Sequence, residues 1–235
     1  MGQLAWRLRV VILASVLLHL SLYSPTAGES PQALRPVELL GRVQEHYDRI
    51  TRLYARFRQE TRLQGFEQAQ SGEGEVWILK PGMMRWNYTM PERQTIIANG
   101  ETLWIYLPEE RQVIRDRVQT SMGARTPALF LAGHARLTEL FTVAGAGSQV
   151  PSEDRLLQLE LTPREGTLPY THVALSIHPT SYQVVRVQLT DPLGSMTTMW
   201  FADIDTEAAV DPSLFQFEVP PGVDVVSPPV FPVPR

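Results

Sequence analysis

Residues 72–107, GEGEVWILKPGMMRWNYTMPERQTIIANGETLWIYL, are apolar, aromatic runs punctuated by Pro81-Gly82, Met90-Pro91-Glu92 and Asn99-Gly100. Asn-Gly between two β-prone runs is the strongest short-range hairpin signal, because a type I′ turn needs positive φ at both central residues. The spacing predicts consecutive antiparallel strands at residues 76–79, 84–88, 95–98 and 103–107. They hold three of the five tryptophans and no group with evident catalytic chemistry. A sheet this greasy points to a surface for holding something apolar. Trp77, Trp86 and Trp104 filling a core is the ordinary alternative. Against it, residues 103–107 are apolar on both faces, more than a one-sided sheet requires.

The chain ahead of this sheet falls into two parts. Arg7 and Arg9 precede an apolar run over residues 10–22, which small residues close at 24–28. A basic start, a short apolar stretch and a small-residue exit describe a secretory signal peptide, cleaved after Ala27 or Gly28. The run is short for a transmembrane span, which needs about 20 apolar residues. Pro36 suits a first helical turn, and Leu40, Val43, Tyr47 and Ile50 then recur at spacings of three and four. They predict an amphipathic helix over Pro36–Arg49 whose apolar stripe covers the sheet.

Beyond the helix the period becomes two. Leu53, Ala55 and Phe57 alternate with Tyr54, Arg56 and Arg58, predicting a half-buried strand that runs to Leu63. After the central meander a further strand is predicted over residues 112–118. Residues 119–143 break the pattern, with a compact apolar stretch at 127–131 and helical spacing of Leu137, Leu140 and Phe141, read as one or two short helices. Alternation resumes near residues 157–161, 173–177, 185–189 and 197–201, with a last strand expected at 215–219. About eleven strands are too many for a flat open sheet and should curl or close. The expected domains are a signal peptide at 1–28, one domain at 29–226, and a Pro-rich tail at 227–235.

Charge and composition exclude several functions. Losing Arg7 and Arg9 takes the basic count from 21 to 19 against 25 acidic residues, a formal charge of −6 that disfavours nucleic acid. The chain has no cysteine, hence no disulfide, thiol nucleophile or lipidated-cysteine anchor. His172 and His178 are too far apart on one strand for a metal pair, while His46 and His134 have no neighbouring ligands. No hydrolase motif is present, and Glu73, Glu75, Asp203, Asp205 and Glu207 read as polar strand faces. No catalytic residue, metal site or cofactor is expected.

Several stretches, taken in order, resemble the outer-membrane lipoprotein carrier family, the LolA-like periplasmic chaperones. They are LYARFRQET at 53–61, GEVWILKPGMMRWNY at 74–88 with PERQ and NGETLWIY after it, and TPALFLAGHARLTELF at 126–141. LELTP at 159–163, DPLG at 191–194 and FQFEVPPGV at 215–223 complete the set. The likeness covers most of the chain after residue 28. It implies a mainly β fold: a single incomplete antiparallel β-barrel of about eleven strands, with lid helices over an apolar cavity. It also implies a monomeric periplasmic chaperone that takes triacylated lipoproteins from an inner-membrane ABC transporter to an outer-membrane receptor. A lipid- or glycolipid-binding protein, or a lipoprotein-sensing envelope protein on the same fold, is the alternative. Acyl-chain contacts are expected from Phe57, Met84, Trp86, Tyr88, Leu129 and Phe130. Lys80, the only lysine, stands where the family usually has the arginine that latches the lid. Lysine keeps the charge but loses the planar five-donor fork.

Overall fold

The computed structural model describes residues 34–118, 136–145, 155–164 and 169–227, all within one compact unit. The expected signal peptide, the expected Pro-rich tail from residue 228 onward, and Leu129, Phe130 and His134 lie outside the described residues. None of the described helices is long and apolar enough to cross a membrane.

The chain opens with α1, Pro36–Arg49, with the predicted bounds. The Glu38 side chain accepts from the Arg35 backbone N–H at 3.2 Å, capping an orphan donor at the helix start. Twelve strands follow: β1 Arg52–Arg62, β2 Gln70–Leu79, β3 Met83–Met90, β4 Gln94–Asn99, β5 Thr102–Leu107 and β6 Gln112–Arg117, then β7 Phe141–Gly145, β8 Leu157–Pro163, β9 His172–Ile177, β10 Val184–Thr190, β11 Met196–Asp205 and β12 Asp224–Val226. A four-residue helix, α2, Leu137–Leu140, leads directly into β7.

The strands form one open sheet in the order β12-β6-β5-β4-β3-β2-β1-β11-β10-β9-β8-β7. Every pairing is antiparallel except β12 on β6. No ladder among the described strands joins β7 to β12, so the barrel is incomplete, as the sequence leads one to expect. Both edges are short, which limits the backbone they offer to another chain.

Three local expectations are corrected. At Asn99-Gly100 only Gly100 has positive φ, at 98°. The turn is centred one residue later, with glycine at its first central position, and Asn99 Oδ1 accepts from the N–H groups of Glu101 and Thr102 at 3.1 and 2.9 Å. Phe141 is a strand residue rather than the end of a helix, because β7 pairs with β8 from Phe141↔Pro163 onward.

The third correction concerns residues 215–219, which are not a strand. Pro212–Phe215 is a single 3-10 turn, and the segment crosses the sheet face opposite α1. Phe215 is buried, Phe217 packs on Trp104 and Tyr106 at 6.1 and 5.7 Å, and Arg85 donates to the Leu214 carbonyl at 3.0 Å. This is why β5 is apolar on both sides. Leu103 belongs to the core under α1, whereas Trp104 and Tyr106 face outward beneath the C-terminal segment.

Candidate functional site

The apolar residues of the inner face, the one under α1, alternate along each strand as the two-residue period requires. Leu53, Ala55 and Phe57 on β1, Val76 and Ile78 on β2, and Met84 and Trp86 on β3 form one cluster with Leu39, Leu40, Val43 and Tyr47 of α1. Of the predicted acyl contacts, Phe57, Met84 and Trp86 are buried and Tyr88 is half-buried. The Phe57 ring lies 4.9 Å from Trp86 and 4.8 Å from Tyr88, both edge-on, an arrangement that aromatic quadrupoles favour. Phe201 on β11 adds a fourth ring, 6.3 Å from Trp86.

Two glycines make this packing possible. Gly74 is the cross-strand partner of both Phe57 and Tyr88. A Cβ at Gly74 would stand 1.9 Å from the Asn87 carbonyl oxygen, so no other residue fits without moving backbone. A Cβ at Gly72 would meet the Tyr88 ring at 3.3 Å. With no side chain on these two positions of β2, Tyr88 from β3 reaches across to β1. Its Oη donates to Gln59 Oε1 at 2.9 Å, and burial raises its pKa to about 12, so it stays a donor at neutral pH.

The helix over this face is tied down at both its end and its middle. Lys80 Nζ donates to the Tyr47 carbonyl, placing a cation at the negative end of the α1 dipole. Burial lowers the Lys80 pKa, and Asp48 partly offsets this. The Tyr47 hydroxyl accepts from the Val184 N–H at 3.1 Å, and burial pushes its pKa far up. Gln44 Oε1, buried, accepts from the Leu137 N–H at 2.6 Å, joining α1 to α2. Gln59 is the glutamine of the LYARFRQET likeness, whereas no motif singles out Gln44 or Phe201. Gln44 sits on the helix face toward the core, one place from Val43, and its polarity there was the available signal.

Most of the remaining polar candidates have structural partners; the exception is His46, whose Nε2 is buried without a hydrogen-bond partner among the described residues. His46 is half-buried rather than on the exposed side of α1, with its ring edge-on to Tyr47 at 5.1 Å. Its pKa is lowered, first by burial and then by Arg49 and Lys80. His172 hydrogen-bonds Glu160 on the neighbouring strand, and His178 Nδ1 accepts from Thr180 and Ser181 N–H groups in a turn. Asp203 pairs with Arg56, Glu75 accepts from Tyr54 Oη at 2.7 Å, and Asp205 accepts from the Glu207 N–H. No group of three potential metal ligands occurs among the described residues.

The described residues thus form an open, mostly antiparallel sheet with an aromatic inner face under a tethered helix. Comparison with known proteins narrows the class. The family model described as outer membrane lipoprotein carrier protein LolA matches residues 48–218. The outer-membrane lipoprotein carrier protein of Alkalilimnicola ehrlichii is 35% identical over 182 residues, 77% of this chain and 80% of that one. That of Methylococcus capsulatus is 32% identical, covering 78% and 85% respectively. An uncharacterized conserved protein from Thermus thermophilus shares the fold with a TM-score of 0.50 at 14% identity, over 82% of this chain and 98% of that one. The chain belongs to the outer-membrane lipoprotein carrier family, a family of carriers and not of enzymes.

Proposed function

We propose that this protein is a periplasmic chaperone that holds the acyl chains of lipoproteins against the inner face of its sheet and carries them to the outer membrane. The observation that carries the reading is the aromatic cluster of Phe57, Trp86 and Tyr88 under α1, in a chain of this family. A membrane-bound acyl chain gains about 0.8 kcal/mol per buried CH₂, so it cannot cross water unescorted. A carrier must supply equivalent apolar surface and keep that surface covered when empty. Met84 belongs to the same face, and Leu129 and Phe130 are assigned to it by family likeness. The relatives carry the carrier name, which does not favour the alternative of a glycolipid-binding or sensing protein. An inner-membrane ABC transporter as donor and an outer-membrane receptor as acceptor complete the proposal, with the leader removed on export.

The test is release from membranes. Spheroplasts holding labelled, outer-membrane-destined lipoproteins are incubated with the purified protein lacking residues 1–28. A soluble one-to-one complex is expected; no release, with free fatty acid still bound, would move the assignment to a lipid-binding protein.

Lys80 is assigned as the latch of α1. Replacing it by methionine keeps the aliphatic stem and removes the charged bond to the Tyr47 carbonyl. A hydrogen bond from a charged group is worth about 1.5–3 kcal/mol when buried, and less at a half-exposed site. Amide exchange along α1 is therefore expected to quicken by about fivefold, the equivalent of about 1 kcal/mol. Unchanged exchange in Lys80→Met would remove the latch role.

A further inference from the structure

Beside the aromatic cluster, the inner face carries a chain of side-chain hydrogen bonds. Tyr88 Oη donates to Gln59 Oε1 at 2.9 Å, Gln59 Nε2 donates to Thr61 Oγ1 at 3.3 Å, and Thr61 Oγ1 lies 3.1 Å from Thr197 Oγ1. The chain spans β3, β1 and β11, and each member is half-buried. It lies toward the ends of β1 and β3 and the start of β11, with Phe57 and Trp86 on its buried side. A second polar group comes from the same face of β3, two residues from Tyr88. Trp86 Nε1 is buried and has no hydrogen-bond partner among the described residues. An indole N–H left so costs about 1–3 kcal/mol, and a donor of this kind in a binding face calls for an acceptor.

A triacylated cargo is not hydrocarbon alone. Its two ester carbonyls and one amide carbonyl, where the chains meet the glyceryl-cysteine, are acceptors that would lose water on entering an apolar site. Sites for such ligands pair an apolar wall with a few placed polar groups that fix orientation. Acceptor-rich cargo meets a donor-bearing band at the border between the sealed aromatic core and the strand ends.

We infer that the Tyr88–Gln59–Thr61–Thr197 band, with the Trp86 indole N–H, binds the ester and amide carbonyls of the acylated cysteine. The acyl chains then lie on the Phe57 and Met84 side, and the peptide leaves at the strand ends. This rests on the carrier reading above and adds to it a headgroup site and a direction of binding. Strand geometry fits, since the four steps from Met84 to Tyr88 span about 13 Å at roughly 3.3 Å per residue. That is close to the depth of one bilayer leaflet, about half of a 30 Å hydrocarbon core.

The test compares two probes, a synthetic triacylated lipopeptide with ester links and its analogue with ether links at the same positions, which lacks the ester carbonyls. Both are titrated against the wild-type protein, Tyr88→Phe and Gln59→Met, with thermal unfolding followed in parallel. One neutral hydrogen bond is worth about 1 kcal/mol, so the ester-to-ether affinity ratio is expected to fall about fivefold in each variant. A ratio equal to wild type in both variants would overturn the headgroup site, whatever the variants do to stability. A wild-type protein that binds neither probe would instead sink the carrier reading, and this inference with it.

Discussion

Replacing Trp86 by glutamate is expected to reduce lipoprotein release from spheroplasts to background, a loss of a hundredfold or more. Trp86 is 2% exposed and packs between Phe57 and Phe201. The substitution removes the largest ring of the cluster and sets an ionisable carboxylate on the face proposed to receive acyl chains. Burying that charge unpaired costs several kcal/mol, so the carboxylate takes up a proton or holds water at the site. Either outcome opposes transfer of a methylene chain, and a loss of about 3 kcal/mol is already over a hundredfold. The same change strips a core side chain, and truncations of this size cost about 3–5 kcal/mol of stability. Release must therefore be read beside a circular dichroism melt and beside Trp86→Phe, which keeps an aromatic ring, loses the indole N–H and should lose far less release than the glutamate variant. A folded glutamate variant that releases lipoprotein as well as wild type would place the acyl chains elsewhere.

Gly74→Val is the largest structural prediction. The added Cβ would fall 1.9 Å from the Asn87 carbonyl oxygen, a backbone atom that cannot swing aside. β2 and β3 would have to separate at the point where Phe57 and Tyr88 meet. A loss of about 3 kcal/mol or more is expected in urea unfolding, at or above the upper range for overpacking. Gly41 provides the opposite case. It lies within α1, and a Cβ there meets nothing within 4 Å. Gly41→Ala should raise stability by about 0.5–1 kcal/mol, because helix interiors favour alanine by that amount. If Gly74→Val left stability unchanged, the close approach of β2 to β3 would be misplaced.

Helix and strand periodicity made most of this fold legible. α1 could be bounded to the residue because Pro36 opens it and its apolar positions recur without interruption. β8 to β11 could be placed because each has one wet face. The segment at 215–219 misled because Phe215 and Phe217 alternate like a strand, whereas they are two plugs in an aromatic patch that β5 leaves on the outer face. Nothing in local spacing tells such a strap from a strand, since both present every second residue to the sheet. The same limit applies to the site. Parity on one strand puts Trp86 and Tyr88 together, yet the bond from Tyr88 to Gln59 depends on two glycines of a third strand. Gly72 and Gly74, spaced by two in an otherwise side-chain-rich strand, were the visible trace of that gap.

The unjoined margins at β7 and β12 bear on how much such a carrier can hold. In a closed barrel, strand number and stagger fix the girth, and a larger guest must break a backbone ladder to be admitted. Among the described residues no ladder closes the sheet, so spreading these margins would break no pairing between them. Cargoes of unequal chain length are therefore expected to share one cradle without unzipping it.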